Sequence, residues 1–172
     1  MAGDSEYLII PFLYDIPADS DVIKQLQSLA EPADFVVPLP VRATKSILTH
    51  LNILFRSVSE YTADDVVAEQ RTSTVLCLNN LPPRWYPVID DSRCVGCLEC
   101  VNFCLFGVYS IGKDDRPLVD QPAACRDGCP ACSRVCPGRA IMFPLYEDRQ
   151  IAGYDDVPAD ELDNLTDLVD TL

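Results

Sequence analysis

Eight of the nine cysteines in this 172-residue chain lie between Cys94 and Cys136, in two runs. The first is C-x2-C-x2-C-x3-C, through Cys94, Cys97, Cys100 and Cys104; the second is C-x3-C-x2-C-x3-C-P, through Cys125, Cys129, Cys132, Cys136 and Pro137. No other feature constrains the fold so tightly, because thiols at this density must be bridged, held by metal or used in redox chemistry. In a reducing compartment they read as metal ligands or redox groups before they read as disulfides. The remaining thiol, Cys77, sits in the apolar run Thr74 to Leu78 and reads as a small core residue.

The two runs belong to an internal repeat. Each is followed by a short apolar segment, Val108 to Ile111 after the first and Ala140 to Phe143 after the second. Each half should be a cysteine loop, a turn or two of helix, then a strand, and two such halves should share one core about a pseudo-twofold axis. Val88-Ile89 before Cys94 reads as a further strand. Glycine divides the chain in the same way: Gly3 is the only one before Gly96, and the other five follow. Two compositions imply two modules, with Leu81-Pro82-Pro83 as the joint.

Residues 1–80 alternate strand and helix. Tyr7 to Pro11 and Phe35 to Val37 read as strands, and Thr74 to Leu78 as a third. Asp19 or Ser20 caps a helix bearing Val22, Ile23, Leu26 and Leu29, and a second helix is expected from Arg42 to Arg56. The polar stretch 57–73 suggests at most a short helix around Asp64 to Glu69. This βαβαβ order predicts a small α/β module with parallel strands. A nucleotide site is not expected, since a phosphate-binding turn needs glycine and none lies between Gly3 and Gly96. His50, the only histidine, falls on the second helix and has no nucleophile paired with it by motif.

The cysteine spacings resemble those of bacterial-type ferredoxins that carry two 4Fe-4S clusters, with Leu105 where proline usually follows the first run and one extra residue between Cys125 and Cys129. Three closely spaced thiolates wrap three iron corners of a cube, and in that family the fourth ligand comes from the other motif. The resemblance therefore implies one cluster on Cys94, Cys97, Cys100 and Cys136, and the other on Cys125, Cys129, Cys132 and Cys104. It extends through Trp85 to Asp90 and Met142 to Pro144, and is similar to family members with an N-terminal extension of unassigned role. A pair of four-cysteine zinc sites is the alternative, although zinc ribbons usually supply their ligands as two separated pairs.

The fold expected overall is α+β: a dicluster domain over residues 81–150, preceded by an α/β module at 1–80 and followed by an acidic, helical tail at 151–172. The implied cofactors are two 4Fe-4S clusters. The implied function is electron transfer, as a carrier or as the electron-entry subunit of an oxidoreductase, with no catalytic residue of its own. The alternative is a docking subunit of a dedicated enzyme in which the clusters are mainly structural. Phe103, Phe106, Tyr109, Trp85 and Tyr86 can supply aromatic cover for the clusters, with ordinary core packing the alternative for each. Arg93, Arg126, Arg134 and Arg139 stand beside or near cluster ligands, as groups that stabilise charge or orient a partner or else as surface arginines.

Charge narrows the partners. Acidic residues number 27 against 13 Lys and Arg, for a net charge of -14, which disfavours nucleic acid and anionic membrane surfaces. Neither an apolar run long enough to cross a bilayer nor a secretory leader is read at the start, so a cytoplasmic chain with a redox donor and a redox acceptor protein is expected. Seven acids and no Lys or Arg fall in residues 151–172, where Leu162, Leu165, Leu168 and Leu172 make one apolar stripe.

Overall fold

The computed structural model describes residues 7–9, 13–60, 74–75 and 84–155. The expected joint at Leu81-Pro82-Pro83, Cys77, the suggested helix at 64–69 and the tail beyond residue 155 lie outside these residues.

Near the N-terminus, β1 (Tyr7–Ile9), β2 (Ala33–Val37), β3 (Phe55–Glu60) and β4 (Thr74–Val75) form a parallel sheet in the order β3-β2-β1-β4. Parallel neighbours need crossovers. Two of these are helical: α1 (Asp21–Gln27) between β1 and β2, and α2 (Val41–His50) between β2 and β3. Ser20 caps α1, its hydroxyl accepting the Ile23 N–H at 3.3 Å. Ile23 and Leu26 of α1 pack with Phe35 and Val37 of β2 and Ala43, Ile47 and Leu48 of α2.

One sequence expectation is corrected here. The helix expected through Arg56 ends at His50, and Phe55 starts β3, a strand that continues into the stretch read as polar and ambiguous. The stop is Asn52 in the left-handed region (φ 54°), with the Ile53 N–H returning to the Leu48 carbonyl at 2.9 Å. Asn is the residue other than glycine that most readily takes that conformation at a helix end. In the described sheet β3 is an edge. Its Arg56 and Ser57 side chains reach buried Asp34 on β2, at 3.0 and 2.6 Å, so that carboxylate is paired as well as buried.

In the cysteine-rich half, β5 (Val88–Ile89) pairs antiparallel with β8 (Ile141–Met142), and β6 (Tyr109–Ile111) with β7 (Pro117–Val119). Between them stand α3 (Glu99–Phe103) and α4 (Ala131–Val135). Thus the strand before each cysteine run pairs with the strand after the other, which is the crossed arrangement a pseudo-twofold repeat requires. β7 was not expected from sequence. Its signal is an upstream extension of the repeat, Pro87-Val-Ile-Asp90 against Pro117-Leu-Val-Asp120.

A short helix, α5 (Arg149–Ala152), follows, capped by Asp148 and stopped at Gly153 (φ 109°). Ile151 and Ala152 are buried, and the Ile151 carbonyl accepts the Phe143 N–H at 2.8 Å. Residues 151–155 therefore pack with the body, and the expected tail boundary at 151 falls inside an ordered element.

Candidate metal centre

Each half of the repeat puts its cysteines at matching places. The third cysteine lies on the helix (Cys100 on α3, Cys132 on α4) and is buried; the fourth (Cys104, Cys136) is the residue at that helix's C-terminal cap. A left-handed glycine immediately precedes the second cysteine in both: Gly96 (φ 69°) before Cys97 and Gly128 (φ 71°) before Cys129. The extra residue of the second run is thus taken up before Gly128, by Arg126-Asp127. Loops of this kind turn successive backbone N–H groups into anion-binding concavities.

Four cysteines, Cys94, Cys97, Cys100 and Cys136, line one cavity together with Ile89, Pro117 and Ile141. Gly138 allows the chain just after Cys136 to come this near the first loop, since a Cβ there would stand 2.4 Å from the Arg93 carbonyl oxygen. Cys104, Cys129 and Cys132 all lie close enough to Cys125 to disfavour its thiolate. Burial first, then Cys132, Cys129 and Cys104, push the Cys125 thiol up to about 12. Burial raises Cys132 to about 11, with Cys104 and Cys129 adding to it, and burial likewise raises Cys100 to about 11, with Cys136 and then Cys132 adding to it. All eight thiols are unbridged.

Such a set fits iron–sulfur ligation. Thiolates are the soft donors these cubes use, and hydrogen-bond donors reach the sulfurs: the Ala140 N–H meets Cys136 Sγ at 3.3 Å, and the Tyr109 hydroxyl meets Cys132 Sγ at 3.1 Å. Zinc takes the same thiolate donors in sets of four, so the choice between the two rests on the arrangement of three closely spaced cysteines plus a distant fourth, which gathers Cys94, Cys97, Cys100 and Cys136 around one cavity.

The surrounding side chains divide. Trp85 stacks on Phe143 at 5.0 Å and its indole N–H donates to the Cys129 carbonyl at 3.3 Å, so it covers and braces the second loop. Tyr109 is buried against the cysteines. Phe103 and Phe106, expected as cover, are instead substantially exposed and flank Leu105, which is 93% exposed beside Cys104. Tyr86 is not at the clusters either; it stacks on Tyr14 at 4.4 Å in the core of the first module.

Of the arginines, Arg93 pairs with Asp90 and Asp155, Arg134 donates to the Tyr146 hydroxyl at 3.3 Å, and Arg139 takes a left-handed conformation. The Arg126 carbonyl accepts the Cys129 N–H at 3.1 Å. Arg116 was missed by the sequence reading. From the β6–β7 turn it donates to the Asp91 and Cys94 carbonyls, at 3.1 and 2.6 Å, clamping the first cysteine loop. His50 lies against the strand before that loop, 2.9 Å from the Ile89 carbonyl. A larger cavity of about 250 Å³, holding no cysteine, opens between α2, residues 84–89 and β7; it shares Ile89 and Pro117 with the cysteine cavity.

Comparisons with known proteins fall on this part of the chain. Residues 86–137 match the 4Fe-4S dicluster domain family. An uncharacterized ferredoxin of Methanocaldococcus jannaschii is 43% identical over 61 residues, 35% of this chain and 41% of that protein. An archaeal-type NADPH glutamate synthase of Thermotoga maritima is 31% identical over 61 residues, 36% of this chain and 12% of the synthase. The thiosulfate reductase electron transfer subunit of Salmonella typhi is 33% identical over 69 residues, 37% of this chain and 35% of the subunit. The chain therefore spans less than half the length of each of these relatives. Over the matched region it is ferredoxin-like, and the cofactor that match implies is a pair of 4Fe-4S clusters.

Proposed function

We propose that this chain transfers single electrons, as a carrier or as the electron-entry subunit of a larger oxidoreductase. In this reading Cys94, Cys97, Cys100 and Cys136 hold one 4Fe-4S cluster, and Cys104, Cys125, Cys129 and Cys132 hold the other. The clusters, when bound, supply one-electron redox chemistry, and no bond is made or broken in a substrate. The observation that carries the reading is the gathering of Cys136, from the second run, around one cavity with the first three cysteines of the first. The protein's own groups position the thiolates, donate hydrogen bonds to sulfur and exclude water, which tunes a cluster's potential.

The partners are a redox donor and a redox acceptor protein. Residues 151–172 bear seven acids and no Lys or Arg, and their charge attracts a basic partner toward the clusters. No helix among the described residues is long and apolar enough to cross a membrane.

Metal and sulfide analysis tests the first step: about eight irons and eight sulfides per chain are expected, with reversible bleaching by dithionite. Zinc without labile sulfide sinks the proposal. Clusters that bind but cannot be reduced leave only a bracing role.

A further inference from the structure

The repeat lets the two cysteine sites be compared position by position. After the helix, the first half reads Val108-Tyr109-Ser110-Ile111 and the second Ala140-Ile141-Met142-Phe143. The second residue of each segment, which opens its strand, is buried: Tyr109 is 8% exposed and Ile141 3%. Ile141 lines the cavity of Cys94, Cys97, Cys100 and Cys136. Tyr109 instead carries a hydroxyl, which donates to Cys132 Sγ at 3.1 Å. Cys132 is the third cysteine of its run, as Cys100 is of the other. One place in the repeat thus sets hydrocarbon at the first site and an O–H donor at the second.

The donor is held firmly. β6 fixes the Tyr109 backbone opposite Val119, and the side chain is buried among the cysteines. At the first site the donors to sulfur among the described residues are backbone N–H groups, that of Ala140 to Cys136 and that of Val101 to Cys100, which nearly any residue would supply. Among the described residues the Tyr109 bond is the one to a cysteine sulfur that a side chain donates.

Resting on the ligand assignment above, we infer that Tyr109 is a positioning residue that makes the two clusters unequal, raising the potential of the one on Cys104, Cys125, Cys129 and Cys132. The step involved is the transfer of one electron from a low-potential donor protein, with no proton moved. Negative charge grows on the cysteine sulfurs, and a hydrogen bond to a charged acceptor is stronger than one to a neutral acceptor. The bond therefore stabilises the reduced site more than the oxidised one.

The test is a redox titration of the cluster-loaded full chain, read by electron paramagnetic resonance, in wild type and Tyr109→Phe. Phe keeps the ring and removes only the donor. The expected result is a lowered midpoint for one cluster and an unchanged one for the other, moving the electron's partition between them about tenfold, or about 59 mV for a one-electron couple. Tyr109→Ile, which copies the other half, should move the same midpoint the same way. Should Tyr109→Phe fail to hold clusters, wild type made with fluorotyrosine decides: a more acidic phenol donates more strongly, so that midpoint should rise. Two unchanged midpoints in Tyr109→Phe, or no rise with fluorotyrosine, overturn the inference while leaving electron transfer intact. Wild type that binds no iron or cannot be reduced overturns the reading beneath it.

Discussion

Tyr14 and Tyr86 stand 72 residues apart and complete each other's hydrogen bonds. The Tyr14 hydroxyl donates to the Tyr86 carbonyl and accepts the Tyr86 N–H, while the Tyr86 hydroxyl donates to the Tyr14 carbonyl at 3.0 Å. Burial pushes the Tyr86 phenol up to about 12 and Tyr14 higher still. An acid whose folded value is raised favours its neutral form, so this contribution to stability is whole below the unfolded value of about 10. Above it the unfolded chain gives up a proton that the folded chain keeps, and stability falls as pH rises toward about 12. Denaturant unfolding of the protein should show that decline, and Tyr86→Phe should flatten it; an unchanged slope in the variant would place the loss elsewhere. Neither residue's role was legible in sequence. Tyr86 reads from sequence as either cluster cover or core, and which core it joins is set by the packing of two distant segments.

Among the elements, the loops and helices of the cysteine repeat were legible because their ligands lie within a few residues of one another. Local spacing there nearly dictates local shape. β7 and the end of α2 were harder. β7 is three residues long, with too little apolar pattern of its own, and only its pairing with β6 makes it a strand. Leu51, Leu54 and Phe55 keep a helical spacing past the true end of α2, whereas in the structure Phe55 pairs with Ala33 of β2. Gly138 joins the two halves at their closest approach. In Gly138→Ala the new methyl would meet a backbone oxygen at 2.4 Å, a neighbour that cannot swing away. We expect a loss of about 1–3 kcal/mol and faster release of iron from one cluster, measured by thermal unfolding and iron retention. A variant as stable as wild type would mean that the loop before Cys94 yields freely.

For the molecule as a whole, the two modules share a core. Val88 and Met142, from β5 and β8, are buried with Ile23, Phe35 and Leu48 of the first module. Arg42 of α2, with a side chain only 9% exposed, donates to the Gly153 and Arg139 carbonyls, both at 3.3 Å, and faces Asp155. Deleting residues 1–80 should therefore cost on the order of 3 kcal/mol through exposed apolar area, read as a lower melting temperature for the remaining cluster domain. A melting temperature matching that of the full chain would count against this. Removal of residues 156–172, which spares Asp155 and its pairs with Arg42 and Arg93, should slow electron delivery at low salt far more than at high salt. Equal rates under both conditions would reject steering.

The sequence by itself determined the cysteine set, the repeat and the parallel module, since each is written in spacing and periodicity over a short stretch of chain. Only the tertiary structure decided which side chains meet the sulfurs and that the modules are packed rather than merely joined. Those outcomes depend on contacts between residues far apart in the chain. Tyr109 shows the difference: sequence marks it as a buried aromatic, but the hydroxyl at Cys132 exists only because β6 is held by β7 while α4 brings Cys132 beneath it.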